Sequence, residues 1–304
     1  MSFFSVTDTR TTLEAASYIC TRETATVVYL AARTQKPLLV EGPAGVGKTE
    51  LAKAVSRGLG RAMIRLQCYE GLDEAKALYE WEYAKQLLYT QIVKDKIGEL
   101  ISGASSLSDA VDRIAIQEDA FFSERFMLPR PLLKAIRSKE PVVLLVDEVD
   151  KSDPEFEAFL LEVLSDHQVT IPELGTLKAV QIPFVVLTSN SYRDMSDALK
   201  RRCLHLYIDY PDAQTELAIV RKRVPGIAES LARQMVDTMT RVRQLDLKKI
   251  PSVSETLDWA HALLALQVDT LSPQVVADTL NVICKHREDA RQVRDRARQV
   301  ANFS

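Results

Sequence analysis

The chain has 304 residues, of which 46% are hydrophobic and 27% charged, a composition typical of a globular protein with one large domain or two modest ones. Its net charge of −3 argues against a dedicated nucleic-acid-binding protein, because such proteins usually carry a strongly basic face. No apolar run reaches the length of a membrane span, and no basic stretch followed by an apolar core opens the chain. We therefore expect neither a transmembrane helix nor a signal peptide.

The four cysteines are isolated and far apart along the chain: Cys20, Cys68, Cys203 and Cys284. They form no Cys-x-x-Cys pair, so the sequence indicates neither a zinc site nor a disulfide framework. Reduced thiols are typical of the cytosol, and we therefore expect a cytoplasmic protein.

The N-terminal part, residues 1–36, has a helical pattern from Asp8 to Arg33 that ends before Pro37. The apolar run Pro37–Val40 then predicts a short buried strand, and Glu50–Gly58 predicts a helix. A glycine-rich loop lies between this strand and this helix. Its residues are Gly42, Pro43, Ala44, Gly45, Val46, Gly47, Lys48 and Thr49.

This loop matches the phosphate-binding pattern G-x-x-x-x-G-K-[ST] in the strand–loop–helix context that its chemistry needs. Glycines let backbone N–H groups turn towards phosphates, and the helix N-terminus adds partial positive charge at the same point. Lys48 can reach the outer phosphates, and the Thr49 hydroxyl can bind Mg²⁺. The alternative is a glycine-rich turn that matches by accident, but the context favours a nucleoside triphosphate site.

A long segment separates the predicted second strand, Ala62–Gln67, from the next strand signal. From about residue 71 to about residue 139 its patterns are helical, and one helix is predicted over Ala110–Ile116. Apolar and aromatic residues recur at helical spacing near its start: Leu72, Ala75, Tyr79, Tyr83 and Leu87. We therefore expect a helical insertion over about 71–139.

The run Val142–Val146 is apolar throughout, which suits a strand buried on both faces of a parallel sheet. It ends in Asp147 and Glu148, and ligands of such sheets lie beyond the carboxyl ends of the strands. Asp147 would hold Mg²⁺ directly or through water, and Glu148 would polarise the attacking water. A solvated acidic turn is the alternative, which the preceding phosphate loop disfavours.

After this strand, Ser152 and Glu155 have the spacing of a helix capping box, and Gln168–Ile182 looks like a β-hairpin. The next buried strand, Phe184–Leu187, is followed by Thr188-Ser189-Asn190. An amide at Asn190 would hold the attacking water or contact the γ-phosphate, although Ser-Asn after a strand is also an ordinary turn.

A basic cluster, Lys200-Arg201-Arg202, precedes the last predicted strand, Leu204–Ile208. Such clusters usually form a solvated face; here the alternative is an arginine finger supplied to a neighbouring subunit. Strands separated by helical segments predict an α/β fold with a parallel sheet. Strand signals stop at Pro211, so we predict an ATPase-type domain over 37–212 and an all-helical domain over 213–304.

The four motifs, in this order, resemble those of the AAA+ ATPases: the phosphate loop, Asp147-Glu148, Thr188-Ser189-Asn190 and Ala198–Cys203. The helical tail resembles their lid domain. The sequence around Gln168–Ile171 is most similar to that of the MoxR branch. Within it, Glu70–Lys76 and Pro251–Trp259 resemble the CoxD-like proteins, which are found with carbon monoxide dehydrogenase and related molybdenum hydroxylases.

The resemblance implies roles for residues at matching positions. Lys48 would contact phosphate, Thr49 and Asp147 would bind Mg²⁺, and Glu148 would activate water. Asn190 would be the sensor 1 residue. Arg202 is the preferred trans arginine and Arg201 the second choice.

The sensor 2 position departs from the family pattern, and the role of the aromatic residues in the insertion is left open. Many relatives carry a sensor 2 arginine early in a lid helix, where this chain has Ser254, and a serine cannot replace a guanidinium at a phosphate. Either another basic residue, such as Arg221 or Arg223, serves instead, or ATP sensing through the lid is weaker. In the insertion, aromatic residues either contact substrate or belong to the core: Trp81, Tyr83 and Tyr89.

The resemblance implies a ring-forming ATPase, typically a hexamer, that uses ATP and Mg²⁺ to remodel proteins. Its partners would include a von Willebrand factor A domain protein and a metalloenzyme whose metal centre it helps to insert. Two alternatives stay open: a nucleic-acid-dependent motor or loader, and a nucleotide-gated scaffold with little hydrolysis.

Overall fold

The computed structural model describes residues 3–92, 106, 127–171 and 175–300 of the chain. The predicted helix over Ala110–Ile116 lies outside these residues. The helices of the described part are α1 (Val6–Ala15), α2 (Arg22–Thr34), α3 (Lys48–Leu59), α4 (Glu74–Leu78), α5 (Tyr83–Ile92), α6 (Pro131–Ile136), α7 (Pro154–Asp166), α8 (Asp197–Arg202), α9 (Ala213–Arg223), α10 (Glu229–Arg243), α11 (Val253–Ala265), α12 (Pro273–Ile283), α13 (Arg287–Asp295) and α14 (Ala297–Val300).

The strands of the described part are β1 (Leu38–Glu41), β2 (Met63–Gln67), β3 (Tyr79–Trp81), β4 (Met127–Pro129), β5 (Val143–Asp147), β6 (Gln168–Ile171), β7 (Gly175–Lys178), β8 (Phe184–Ser189) and β9 (Leu204–Tyr207). Five of them form one parallel sheet in the order β2-β5-β8-β1-β9. The carboxyl ends of β1, β2, β5 and β8 therefore meet at one edge, which is where the predicted site residues follow the strands. The predicted α/β fold with a parallel sheet is confirmed.

Side chains of the central strands alternate between two hydrophobic layers because successive residues of a strand point to opposite faces. Val143 and Leu145 pack with α1, α2 and α3 on one face. Leu144 and Val146 pack with α6 and α7 on the other face. All four are fully buried, which explains why β5 is apolar throughout.

The start of the insertion is a mixed element and not a continuous helix. The chain leaves α4 after Leu78, forms strand β3 and enters α5 only at Tyr83. Strand β3 pairs antiparallel with β4, and Trp81 packs against the core on the α6 side of the sheet. The helical prediction over Tyr79 was therefore wrong, because a two-stranded ribbon can also present aromatic side chains to a core.

The predicted hairpin is present as the antiparallel pair β6–β7, described except for residues 172–174. The capping box predicted at Ser152 is not formed. The Ser152 hydroxyl donates a hydrogen bond to the Val149 carbonyl at 2.7 Å, and Asp153 is the N-cap of α7. Ser152 therefore lies one residue before the N-cap position, which a capping box requires its serine to occupy.

The C-terminal helices α9–α14 share a hydrophobic cluster of their own around the fully buried Trp259. A buried ion pair joins α9 to α10: Arg243 Nη2 lies 2.7 Å from Glu216 Oε1, which also accepts a 2.6 Å hydrogen bond from Thr256 of α11. Helix α11 begins with a complete capping box of Ser252 and Glu255. The expected helical C-terminal part is confirmed.

The four cysteines are all buried, with no disulfide. Burial raises the pKa of Cys20 and Cys284 to about 11 and that of Cys68 and Cys203 to about 12. Among the described helices, none has the length and apolar character needed to cross a membrane.

Candidate nucleotide-binding site

The glycine-rich loop connects β1 to α3 and packs closely against its surroundings. Gly42 has φ +145°, and a Cβ added there would lie 1.9 Å from the Ile208 carbonyl oxygen. Gly45 has φ +77°, and its Cβ would lie 2.0 Å from Ser252 Oγ in the first turn region of α11. Only glycine fits these two positions, so the loop backbone approaches both the last strand and the C-terminal helices.

Lys48 is the first residue of α3 and only 6% of its surface is exposed. Its Nζ donates hydrogen bonds to the Gly42 and Pro43 carbonyls at 2.7 and 2.6 Å. Burial lowers the pKa of Lys48 to about 8, although three nearby carboxylates oppose the shift. The loop thus holds a cation that is not directly paired with an acid and can take up an anionic partner.

A cavity of about 270 Å³ opens beside this cation at the carboxyl edge of the sheet. It is lined by Ala44, Gly45, Gly47, Lys48, Thr49, Glu50, Asp147, Glu148, Thr188, Asn190 and Ser254. The N-cap of α3 is Gly47, which supplies no side-chain acceptor to the first turn. Backbone N–H groups and the positive end of the helix dipole therefore remain available to phosphate.

The donor set beside this cavity fits Mg²⁺. Thr49 Oγ1 lies 3.1 Å from Asp147 Oδ1, so a hydroxyl and a carboxylate converge on one point. Among the described residues no group of three or more His, Cys, Asp or Glu side chains could hold a metal alone. Mg²⁺ is usually held by one or two carboxylates together with substrate phosphates, and Thr49 and Asp147 are the residues that would hold it here.

Asp147 is buried and bound from two further directions. Arg65 of β2 donates to Asp147 Oδ2 from Nε at 3.0 Å and from Nη2 at 2.6 Å. Thr188 donates to Asp147 Oδ1 and accepts a 2.9 Å hydrogen bond from the Glu148 N–H. The guanidinium therefore pairs with Oδ2, which lies 3.4 Å from Thr49 Oγ1, slightly farther than Oδ1.

Glu148 has a left-handed backbone conformation, with φ 56° and ψ 49°. That conformation is unfavourable for a side chain with a Cβ and is typical of functional sites. Its carboxylate accepts hydrogen bonds from Asn190 Nδ2 at 3.2 Å, Gln67 Nε2 at 2.7 Å and Lys151 Nζ at 2.7 Å. Three donors thus restrain the group that the sequence assigns to water activation.

Asp150 fixes the loop that carries Asn190. Its Oδ2 accepts from the backbone N–H of Asn190 at 3.0 Å and of Tyr192 at 2.9 Å. Asp150 is almost fully buried, so these bonds are shielded from water. The position of the Asn190 amide beside Glu148 is therefore set by a carboxylate that the sequence did not single out.

A second cavity adjoins the loop on the side of the C-terminal helices, and Tyr18, Val46 and Leu257 are among the residues that line it. Arg223 of α9 also lines it and pairs with Glu50 of α3 at 2.9 Å. Burial opposes the shift, but hydrogen bonds from Lys53 and Arg223 hold the pKa of Glu50 below its usual value. An ion pair therefore connects α9 to the phosphate-loop helix.

Ser254 lies at the rim of the phosphate cavity, where its hydroxyl donates to the Gly45 carbonyl at 3.4 Å. Of the two arginines considered as substitutes for a sensor 2 residue, the structure brings only Arg223 to the loop helix. Arg221 instead pairs with Glu229 and lines a different cavity, between α9 and α10.

Arg201 and Arg202 lie on the exposed helix α8 and do not line the phosphate cavity of their own chain. Arg202 is tied to its own chain: Nε donates to Ser165 Oγ at 2.5 Å and Nη1 to the Ala198 carbonyl at 3.0 Å. Arg201 has no hydrogen bond or ion pair within the described part of the chain. Of the insertion aromatics, Trp81 is half-buried, Tyr83 is exposed, and the side chain of Tyr89 lies outside the described part.

Arg65 and Gln67 were missed by sequence reasoning although they contact Asp147 and Glu148. The signal was present: they alternate along β2, so both point to one face of the strand. The sequence did not indicate which strand lies next to β2 in the sheet. The parallel register places Gln67 opposite Asp147 and thereby brings these two side chains to the site.

Comparison with known proteins agrees with this site. The family model of the AAA domain (dynein-related subfamily) matches residues 37–203, more than half of the chain. The gas vesicle ATPase GvpN of Haloferax mediterranei is 27% identical over 218 residues, which cover 69% of this chain and 57% of the relative. GvpN of Ancylobacter aquaticus is also 27% identical, over 79% of this chain and 64% of the relative. GvpN1 of Halobacterium salinarum is 25% identical, over 86% and 72%.

The alignments thus span less than two thirds of the length of the first two relatives. The matched family region contains the phosphate loop, Asp147, Glu148, Asn190 and both candidate trans arginines. At the level of the family, the prediction of an ATPase that uses ATP with Mg²⁺ is confirmed. The chain belongs to the AAA domain family, in its dynein-related subfamily.

Proposed function

We propose that this chain is a Mg-ATP-hydrolysing AAA+ ATPase of the MoxR type that remodels a client protein from within a ring. The observation that carries the proposal is the convergence of Lys48, Thr49, Asp147 and Glu148 on one cavity at the carboxyl edge of the sheet. A glycine-rich loop that matched by accident would have no reason to bring a buried cation, a hydroxyl and two carboxylates together.

The chain's own residues divide the work of phosphoryl transfer to water. Lys48 and the N–H groups at the start of α3 bind and orient the phosphates. Thr49 and Asp147 hold Mg²⁺, which supplies positive charge to the phosphate oxygens. Glu148 accepts a proton from the attacking water once the hydrogen bonds from Gln67 and Lys151 have released it, and Asn190 positions the same water.

An arginine from a neighbouring subunit completes the site in this proposal, with Arg202 preferred and Arg201 second. Support comes from the exposure of α8 and from its separation from the phosphate cavity of its own chain. Such an arginine stabilises the charge of the transition state, so hydrolysis in one subunit is linked to packing against the next. We propose a hexameric, cytoplasmic ring in which residues 37–212 form the ATPase domain and residues 213–304 the lid.

Two resemblances bear on the identity of the client protein, and they point to different clients. The CoxD-like resemblance favours a metalloenzyme such as a molybdenum hydroxylase, with a von Willebrand factor A domain protein as the recruiting partner. Three of the relatives described above are named as gas vesicle ATPases. Both resemblances point to an ATPase, and the function that we propose is ATP-driven remodelling of a client protein.

A nucleotide-gated scaffold with little hydrolysis is the second candidate, and one observation favours it. Glu148 is restrained by three hydrogen-bond donors, which would keep basal turnover low until a partner or nucleotide rearranges them. A nucleic-acid motor is less favoured, because the net charge is −3.

The test pairs nucleotide affinity with turnover and mass. We expect Lys48→Ala to abolish nucleotide binding, and Glu148→Gln to bind ATP but not hydrolyse it. Light scattering on the Glu148→Gln protein should then show an ATP-dependent ring. Normal turnover in the Glu148→Gln protein would contradict the mechanism. A monomer with and without ATP would favour the scaffold, and strong stimulation of ATPase activity by DNA or RNA would favour the motor.

A further inference from the structure

A cavity of about 520 Å³ lies at the amino ends of the parallel strands, at the opposite edge of the sheet from the phosphate loop. Its walls come from the end of α2, the end of α3 and the segments that lead into β5 and β8. Buried apolar side chains, including Leu59 and Phe184, form part of its lining. This volume is within the range of ordinary ligand pockets, and the proposed ATPase mechanism does not use it.

Three cations line this cavity: Arg33 and Lys36 from the end of α2, and Arg61 after α3. None of the described residues that line it is acidic. In the described part of the chain, the side chains of these three residues have no hydrogen bond and no ion pair. Three positive charges therefore converge on one recess without a carboxylate to neutralise them.

Arg61 differs from the other two cations because it is half-buried, whereas Arg33 and Lys36 are exposed. Burial lowers the pKa of Arg61, and no carboxylate offsets this effect. Removing a guanidinium from water costs free energy. A half-buried arginine is therefore normally paired with an acidic side chain. Its position in this cavity therefore favours an anionic group that enters from outside the chain.

Part of the apolar lining of this cavity is exposed to solvent. Val180 and Ile182, on the segment between β7 and β8, are 58% and 36% exposed. A ligand that covers them while it neutralises the three cations must carry apolar groups and anionic groups next to each other. We propose that this cavity binds an acidic peptide segment of a partner protein, in which carboxylates alternate with apolar side chains.

Two other polyanions are less suited to these walls. Single-stranded nucleic acid usually stacks its bases on exposed aromatic rings, whereas the aromatic residues here, Phe3 and Phe184, are 2% and 7% exposed. An anionic membrane presents a broad surface of headgroups and supplies no apolar side chain to the buried apolar part of the lining. A peptide satisfies both features, because one apolar side chain enters the cavity while flanking carboxylates meet Arg33, Lys36 and Arg61.

The test is fluorescence anisotropy with the full chain, without nucleotide, and a fluorescein-labelled peptide in which glutamates alternate with leucines. We expect saturable binding that is lost when glutamines replace the glutamates. Arg61→Gln should weaken binding by roughly tenfold, because a half-buried charge-assisted hydrogen bond is lost. Arg33→Gln and Lys36→Gln should each weaken it by about threefold, as expected for exposed ion pairs.

Arg22→Gln is the matched control. Arg22 is exposed at the opposite end of α2, and its substitution removes the same charge as the cavity variants do. Its affinity for the peptide should be unchanged. Val180→Asp should weaken binding more than Val180→Asn, since only the first adds a repelling charge. Thermal melting checks the fold of Arg61→Gln, and the exposed positions Arg33 and Lys36 keep the test decisive if that variant unfolds.

Three outcomes would overturn the proposal. The first is the absence of saturable peptide binding. The second is an equal loss of affinity in Arg22→Gln and the cavity variants, which would indicate bulk charge. The third is tighter binding of a labelled single-stranded oligonucleotide, or of vesicles that contain phosphatidylserine, with the same pattern of loss in the variants.

Discussion

Lys48 is a buried cation whose Nζ contacts carbonyl oxygens and no carboxylate, and its pKa is lowered to about 8 by burial. Phosphate binds the protonated form, so bound nucleotide raises this pKa. Nucleotide affinity should therefore be full below about pH 8 and fall by up to roughly tenfold per pH unit above it. Binding of a fluorescent ATP analogue between about pH 7 and pH 9.5, at constant ionic strength, measures this.

The cysteine thiols do not titrate in this pH range, because burial raises their pKa values to about 11 or about 12. They therefore do not contribute to the pH dependence of nucleotide binding. Lys151 does not either, since its hydrogen bond with Glu148 raises its pKa. A flat affinity over this range would mean that Lys48 stays charged in the free protein, and that burial affects it less than the structure indicates.

Glu148 is restrained by Gln67, and removing that restraint should increase basal hydrolysis. We expect Gln67→Ala to raise kcat by roughly threefold to fivefold, because one hydrogen bond of about 1 kcal/mol no longer holds the carboxylate. Nucleotide affinity should not change, since Gln67 does not line the phosphate cavity. A steady-state ATPase assay checks this, with the exposed Gln274→Ala as control. A fall in kcat would show that Gln67 positions Glu148 for catalysis.

Among individual residues, the sequence predicted the phosphate loop, Asp147, Glu148 and Asn190. Each of them follows an apolar strand, and such strands end at a common edge of the sheet. Arg65 and Asp150 were not predicted, and Arg223 was named only as one of two candidate arginines. Their contacts depend on which strands are neighbours and how α9 packs on α3, and neither is encoded in local spacing.

The pairing of Arg223 with Glu50 links two elements, α9 and α3, that are far apart in the sequence. Both side chains are about one third exposed, so the pair contributes less than about 1 kcal/mol. We expect Arg223→Gln to weaken nucleotide affinity by no more than about fivefold and to reduce the thermal stabilisation that nucleotide gives. Equilibrium binding and nucleotide-dependent thermal melting measure the two effects.

Arg221→Gln is the matched control, because Arg221 lies two residues earlier on the same helix and pairs with Glu229 away from the loop. It should change neither quantity. Equal effects of the two variants would mean that the ion pair with Glu50 does not connect α9 to bound nucleotide.

Two element predictions failed because local spacing alone did not determine the structure. Tyr79 and Tyr83 have helical spacing, but the ribbon with β4 takes up Tyr79, a pairing that depends on a residue range about fifty positions further along. Ser152 has capping-box spacing, but its hydroxyl turns back to Val149. At Ser252 the same spacing does form a box, because Ser252 is itself the N-cap of α11, whereas α7 has its N-cap at Asp153.

For the whole molecule, the trans arginine can be tested by mixing two inactive proteins. Arg202→Ala subunits keep Glu148, and Glu148→Gln subunits keep Arg202. If the arginine acts in trans, roughly a quarter of the interfaces in a random equimolar ring are complete. We expect each protein alone to be inactive and the mixture to recover ATPase activity.

The control mixture combines Lys48→Ala with Glu148→Gln, whose defects lie in the same site, so no complete site can form. It should stay inactive. If the first mixture also stays inactive, Arg202 does not act across an interface, and the experiment is repeated with Arg201→Ala.

The order of strands along the chain and their alternation with helices were enough to predict the α/β sheet and the helical C-terminal part. They were not enough to predict how Ser252 and Gly45 come into contact between those parts, because this depends on the packing of α11 against the loop.

The burial of all four native thiols makes the chain suitable for site-specific labelling without first removing cysteines. Thiolates react and thiols do not, so at neutral pH maleimide reagents should modify the native residues slowly. A single exposed cysteine, such as Asp246→Cys between α10 and α11, would then carry a spin or fluorescent label with little background. In the proposed ring, distances between labels in neighbouring subunits would report how the proposed lid domains move during turnover.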